Sequence, residues 1–390
     1  MIERNGTAAP GRHQVPPLVA VAVSPAYGYG RQVIRGIIRF TQTEEKWRMV
    51  LGAEAGWRGF LGMRSLQGMI ALPSIGDPEA ELERLPWPTV NVSGRFQPQG
   101  IPSVCADDVE IGRRAARALL DRGLRHFAFL PDADDPANRN REAGFRAELA
   151  PDGFASERLP VDVQRGGDAW RRLQRALTGL ARPAGVFCFN DLMGRLASQC
   201  AWELGLHVPT DLSLIGVDDD EIMCAAAYPP LSGVPVRGEE IGFGAARCLA
   251  AMMRGRRPGF RVRRVQPGEV VERASTDLLA VDDPRLAEAM RILRDEACAG
   301  VKVGEVANRI GVPRRWLGRA FREHLRCTPH GFLDRLRMAE ARRLLLDTPL
   351  TLADIADRCG LGYEANLRRL FLNVEGVSPG AWRAARKDYP

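Results

Sequence analysis

Two segments near the end of the chain repeat one spacing, and few folds can accommodate it. The first runs from Val303 to Phe321 and the second from Leu352 to Phe371. In each, an alanine (Ala307, Ala356) stands four residues before a glycine (Gly311, Gly360). Each closes on Leu-x-Arg-x-Phe, so Leu317 and Leu367, Arg319 and Arg369, and Phe321 and Phe371 are all offset by 50. A small side chain is needed where two short helices cross closely, and glycine suits the tight turn between them. Leu and Phe at i and i+4 anchor the second helix and leave the arginine between them on the exposed face. One such segment fits any helical bundle with a glycine cap. Two with the same internal spacing point to paired helix-turn-helix units, each with a second helix shaped to enter a DNA major groove.

The charge agrees. Residues 286–390 hold 19 Lys and Arg against 13 Asp and Glu, an excess of +6, while the preceding 285 residues hold 36 against 35. Nearly all of the net +7 therefore lies beside the repeat, as expected of a module that faces a polyanion. No apolar run approaches 18 residues, so no membrane span is expected, and Leu18–Val23 is too short for a signal-peptide core. The eight cysteines form no Cys-x-x-Cys pair and the five histidines are scattered. This predicts reduced thiols in a cytoplasmic protein and no metal site.

Upstream, short apolar runs alternate with amphipathic stretches. Strands are predicted at Leu18–Val23, Met69–Ala71, Thr89–Val92, Phe127–Leu130, Gly185–Phe189 and Ser213–Val217. Helices are predicted at Arg31–Gln42, Ile111–Arg122, Arg139–Leu149, Asp168–Thr178, Leu192–Leu204 and Glu239–Met253. This alternation predicts parallel sheets with helices on both faces, in two halves of five or six strands. After Pro284 only helical patterns remain: 285–297, 303–309, 313–323, 329–346, 351–357, 362–373 and 378–386. The expected division is a tail at 1–16, a two-lobed α/β part at 17–276, a linker at 277–284 and an all-α part at 285–390. Lobe 1 would comprise 17–122 and 236–260, and lobe 2 would comprise 123–235 and 261–276.

The second repeat continues into Glu375-Gly-Val-Ser-Pro379-Gly-Ala-Trp-Arg383, and Arg335-Leu-Arg-Met-Ala-Glu-Ala-Arg-Arg-Leu-Leu lies between the two copies. Both resemble the arabinose-regulator (AraC) family of DNA-binding domains, over about 295–386. The resemblance implies two recognition helices set into successive major grooves of double-stranded DNA. Arg314, Arg315 and Arg319 on the first, and Glu364, Ala365, Asn366, Arg368 and Arg369 on the second, are the candidate contacts. Arginine suits guanine or phosphate and asparagine suits adenine. Which side chain does which stays open, as does simple solvation of any one of them. Gly318 departs from the longer polar residue often found in the family.

The upstream part carries Val186-Phe-Cys-Phe-Asn190-Asp191, Val208-Pro-Thr-Asp-Leu-Ser-Leu-Ile-Gly216-Val-Asp218-Asp219, Pro229-Pro-Leu-Ser-Gly-Val and Arg141-Glu-Ala-Gly-Phe145. It resembles the lactose/galactose repressor family and the periplasmic sugar-binding proteins. The implied fold class is a two-lobed periplasmic-binding-protein-like α/β sensor joined to the all-α double helix-turn-helix domain. The combination, with Val271-Glu-Arg-Ala-Ser-Thr-Asp277 at the junction, resembles the xylose-operon regulator family.

The resemblance implies a polar ring around a sugar: Asp218, Asn190 or Asp191, Arg141 and, from the first lobe, Asp107. Carboxylates and arginines suit vicinal diols because both partners can bond in pairs. Plainer readings stand beside this: Asn190 and Asp191 as helix caps, Asp218–Asp220 as a solvated turn, and Arg141 as a surface residue. Tyr29, with Tyr27, Trp57 and Phe96, is a candidate stacking face. The loop Ser24–Arg31 is Gly-rich but lacks the Gly-Lys-Ser/Thr of a phosphate cradle.

Taken together, these features predict an effector-responsive transcription regulator, an activator by resemblance, acting as a homodimer on DNA with RNA polymerase among its partners. No cofactor, catalytic residue or membrane partner is expected. Repression, a non-sugar effector and a transport binding protein are the alternatives.

Overall fold

The computed structural model describes residues 15–387 except 53–55, 74–76, 78, 97, 160–167, 278–282 and 326. The expected tail and most of the expected linker lie outside them. The chain begins β1 (Leu18–Ala22), α1 (Gly28–Thr43), β2 (Arg48–Leu51), β3 (Gly68–Ala71), α2 (Glu79–Glu83), β4 (Thr89–Asn91), β5 (Ser103–Ala106) and α3 (Asp108–Leu120). It continues β6 (His126–Leu130), α4 (Pro136–Leu149), β7 (Ser156–Arg158), α5 (Asp168–Gly179), β8 (Ala184–Cys188), α6 (Asp191–Glu203), β9 (Leu212–Val217), α7 (Glu221–Ala226), β10 (Ser232–Val234), α8 (Gly238–Met253) and β11 (Val262–Val265). Seven helices follow: α9 (Pro284–Glu296), α10 (Val303–Arg309), α11 (Arg314–Leu325), α12 (Pro329–Asp347), α13 (Leu352–Arg358), α14 (Glu364–Glu375) and α15 (Pro379–Lys387).

The strands form two all-parallel sheets. The first has the order β2-β1-β3-β4-β5-β11 and the second β7-β6-β8-β9-β10. Central strands such as β1 and β8 are apolar and buried, as parallel strands covered by helices on both faces must be. The edge strands β2, β7 and β11 are short and part-exposed, and for that reason carry little sequence signal. Helices α1 and α8 pack together on lobe 1, and α3 and α4 on lobe 2. A Cβ on Gly112 would lie 2.0 Å from the Arg141 carbonyl, so glycine is what lets α3 approach α4 there.

The lobe boundaries differ from the expected ones. The sequence places 261–276 in lobe 2, but β11 pairs with β5 in lobe 1, and only from Val271, which bridges to Gly233, does the chain return to lobe 2. Likewise α3 packs against α4 and β8–β10 rather than lobe 1. The chain thus crosses between lobes at three places, near 107, 235–237 and 266–270. These crossings are tied to each other: Gln266 Nε2 donates to Asp107 Oδ2 at 2.9 Å, and Gly268 N donates to the Pro235 carbonyl at 2.8 Å.

The helical part has two separate cores. Leu293, Val306, Leu317, Phe321 and Phe332 centre the first, and Leu344, Ile355, Leu367, Phe371 and Trp382 the second. The long α12 contributes its first turns to one core and its last turns to the other. Gly311 and Gly360 end α10 and α13 at φ 68° and 67°, the left-handed conformation that each turn requires.

Candidate functional site

The interlobe cleft lies at the carboxyl ends of both sheets, where ligands of parallel α/β folds bind. Lobe 1 supplies the start of α1 and the segment after β4. Lobe 2 supplies the segments after β6, β8 and β9, together with α3 and α4. Asp218 and Asp219, just past β9, have φ of 99° and 54°, an unusual backbone for residues other than glycine. Asp191 Oδ2 holds this turn by accepting from Asp220 N at 2.7 Å.

Charged side chains join the lobes across the cleft. Arg95 reaches from lobe 1 to Asp132 at 2.6 Å and Asp135 at 2.7 Å. Both carboxylates also accept from Asn138 Nδ2 at 3.0 Å, and Asn138 is fully buried. Arg31 meets Asp220 at 2.6 Å, and Gln32 Nε2 donates to the Asp218 carbonyl at 3.4 Å. Deeper, Arg141 Nε donates to Asp108 at 2.8 Å and Nη1 to the Phe189 carbonyl. The guanidiniums of Arg95 and Arg141 each lie 4.3 Å from the centre of the Phe189 ring.

Burial dominates the electrostatics. It pushes the Asp108 and Asp191 carboxyls above their ordinary range, against Arg141 in the first case. It pushes Asp218 up to about 6, with Arg141 and Arg95 pulling the other way. Among the described residues, neither arginine makes a direct ion pair with the Asp218 carboxylate. The Asp218 carboxylate thus stands in the cleft without an ion pair to either of them, and a carboxylate can accept from hydroxyls.

The candidate ligand residues occupy distinct places. Asp218, Arg141 and Tyr29 come together in the cleft, Tyr29 with its hydroxyl donating to the Val92 carbonyl at 2.5 Å. Asn190 caps α6 by accepting from Met193 N, and Asp191 braces the 218–220 turn. Asp107 caps α3 and bonds Gln266, which makes it a residue of the lobe crossings. Trp57 and Phe96 are core residues of lobe 1, and Tyr27 is exposed. The ring of Phe189 is buried beside the cleft, against the Arg95 and Arg141 guanidiniums. Sequence reasoning also missed Arg95, Asp108, Asp132, Asp135 and Asn138. The signal available was Asp132-Ala-Asp-Asp-Pro136, an acidic loop between a buried strand and a helix-starting proline.

A second surface is formed by α11 and α14. Arg314, Arg315, Arg319, Arg368 and Arg369 are all exposed. Arg319 pairs with Glu323 at 2.8 Å and Arg368 with Glu364 at 2.5 Å, each one turn along its own helix. Such exposed i,i+4 pairs contribute little to stability, so they yield readily to a polyanion. Asn366 donates to the Leu361 carbonyl and accepts from Arg369 at 3.2 Å. Between the units lies a cavity of about 350 Å³ that Lys302, His330, Arg337, Asn366 and Arg369 line.

Comparison with known proteins finds relatives of both parts of the chain. A periplasmic binding protein-like domain matches residues 116–276, and a helix-turn-helix domain matches residues 306–385. The chain joins these two modules in one polypeptide. Over 379 residues it is 27% identical to the xylose operon regulatory protein of Escherichia coli (strain K12), covering 92% of this chain and 95% of that one. The counterpart in Haemophilus influenzae is 26% identical over 347 residues, 85% of this chain and 89% of its own. The solved xylose-binding transcription activator XylR shares the fold over 94% of this chain and 98% of its own, with a TM-score of 0.58 and 24% identity. The regulator CelR in complex with cellobiose shares it over 67% of this chain and 85% of its own, with a TM-score of 0.56 and 23% identity. Over most of its length the chain is thus similar to the xylose operon regulatory proteins, with a periplasmic binding protein-like domain followed by a helix-turn-helix domain.

Proposed function

We propose that this protein is a sugar-responsive transcription regulator that binds DNA through α11 and α14 together. One observation carries the reading: two helix-turn-helix units with matching turn glycines and matching exposed arginines, built on separate cores and held by one continuous helix. A duplex that engages both recognition helices must run across both units, so two adjacent major-groove segments are read at once. The effector occupies the interlobe cleft, with Asp218 accepting from its hydroxyls.

The protein acts in the cytoplasm as a homodimer. Trp202 on α6, and Ile222 and Tyr228 on and after α7, are large apolar side chains exposed on neighbouring elements of lobe 2, the kind of surface a second copy covers. By analogy with the relatives, the regulator activates transcription, with RNA polymerase as partner.

The test is selection of genomic fragments by the full-length protein, with and without a panel of pentoses, hexoses and sugar acids, alongside thermal shifts with the same panel. Enrichment of defined sites, altered by one sugar that also raises Tm in the wild type but not in Asp218→Ala, is the expected result. Fragment retention without sequence preference would sink the reading.

A further inference from the structure

The helix that joins the two DNA-binding units also touches both lobes of the sensor, one at each end. In its first half, Arg335 meets Asp121 at 2.5 Å, and Asp121 caps the end of α3 in lobe 2. Beside it, Arg125 Nη2 donates to the Glu323 carbonyl of α11 at 3.1 Å. At the far end Asp347, the last residue of α12, meets Arg237 at 2.9 Å. Arg237 is the N-cap of α8, which packs on α1 in lobe 1, and it stands in the second crossing between the lobes. Its backbone is left-handed, with φ of 48°, and Glu240 holds its other guanidinium nitrogen at 2.9 Å. Arg237 and Arg335 are mostly shielded from solvent, with side chains 15% and 26% exposed.

The Arg237 end is wired to the cleft. Gly238 N, the next amide in the chain, donates to Gln32 Oε1 at 2.9 Å, and Gln32 Nε2 reaches the Asp218 carbonyl. A helix cannot stretch: between residues 335 and 347 it spans about 18 Å at 1.5 Å per residue. A change in the angle between lobes that displaces Asp121 relative to Arg237 therefore cannot leave both anchors in place.

We infer that α12 is a strut clamped to both lobes, so that the interlobe angle itself sets the position of the two DNA-binding units. When the lobes move, one anchor gives way and the helix swings, carrying both recognition helices. This rests on the reading of the cleft as the effector site, but it assigns the transmission to four side chains: Asp121, Arg335, Arg237 and Asp347. Differential stability of the clamp in the two lobe arrangements is what an effector needs to bias it.

Hydrogen–deuterium exchange on the full-length protein, without sugar or DNA, tests the clamp apart from the proposed function. The Arg31→Ala/Arg95→Ala variant removes the ion pairs that hold the lobes together. The clamp predicts exchange at least tenfold faster in one end of α12, 332–338 or 341–347, with the second core around 355–371 unchanged. Faster exchange at 130–138 and 218–222 with α12 unaffected would overturn it.

A charge swap supplies the second reading. Asp347→Arg should loosen 341–347, and Arg237→Asp/Asp347→Arg should restore wild-type protection, since Asp suits both a helix N-cap and a left-handed backbone. No loss in the single variant, or no recovery in the double, would equally overturn the clamp. A regulator that still selects DNA sites while failing these tests keeps its proposed function and loses the strut.

Discussion

The cleft and the recognition helices both hold clusters of arginine, and they use them in opposite ways. In the cleft Arg95 and Arg141 are committed to Asp132, Asp135 and Asp108, largely shielded from water and stacked on Phe189. On α11 and α14 the arginines stand in solvent with at most a neighbour one turn away. Breaking a buried pair by removing one partner strands a charge and costs several kcal/mol, whereas an exposed pair contributes almost nothing to stability. The same residue type is thus a structural tie in one region and a solvent-exposed, weakly held cation in the other. The cleft is tied by buried ion pairs, while the α11 and α14 arginines stand open to a partner from solvent.

Substitutions can break this contrast. The largest effect is expected from Arg141→Ala, which leaves Asp108 buried without its partner. Thermal or urea unfolding should show a loss of about 3 kcal/mol. A loss near zero would mean that the cleft arginine is no more committed than a surface one.

Arg319→Ala and Arg369→Ala should do the reverse. Each should weaken binding to a selected DNA site by roughly 10-fold or more, lower the salt dependence by about one ion, and leave Tm within about 1 °C. Unchanged affinity in both would remove α11 and α14 from the DNA face.

Asp218→Asn sharpens the contrast through pH. With its carboxyl raised to about 6 from an ordinary value near 3.8, the folded state binds the proton more tightly than the unfolded chain. Stability from this group is therefore full at low pH and falls as pH rises from about 4 through 6. The amide avoids that loss, so Tm should rise by roughly 5 °C at pH 7.5 and by no more than about 1 °C at pH 4. A gain of the same size at both pH values would contradict the assigned burial.

The smallest effect concerns α11. A Cβ on Gly318 would meet only the end of Arg322, at 4.0 Å, so Gly318→Ala should stabilise the first unit by up to about 1 kcal/mol.

The contrast also explains what could be read from the sequence. On α11 and α14 the spacing of Leu317 and Phe321, and of Leu367 and Phe371, fixes which face is buried and so which arginines are exposed. The predicted helices 313–323 and 362–373 lie within two residues of those observed. Cleft residues come from loop ends far apart in sequence, and no periodicity assigns them. Asp107 and Asp108 are adjacent, yet one caps a helix at a lobe crossing and the other pairs with Arg141. Asn190 and Asp191 have the residue types of a sugar site and cap a helix or brace a turn. Phe189, placed by the same motif, faces the two arginines instead. The lobe boundary failed at β11 for a related reason: Val-Arg-Arg-Val is an edge strand that only its pairing with β5 identifies.

Footprinting of the full-length protein on a selected site tests the central claim most directly. The account predicts two protected major-groove segments about 10–10.5 base pairs apart on one face of the duplex for each subunit, with Arg319→Ala weakening one and Arg369→Ala the other. A single protected segment, or two that respond alike to either substitution, would contradict it.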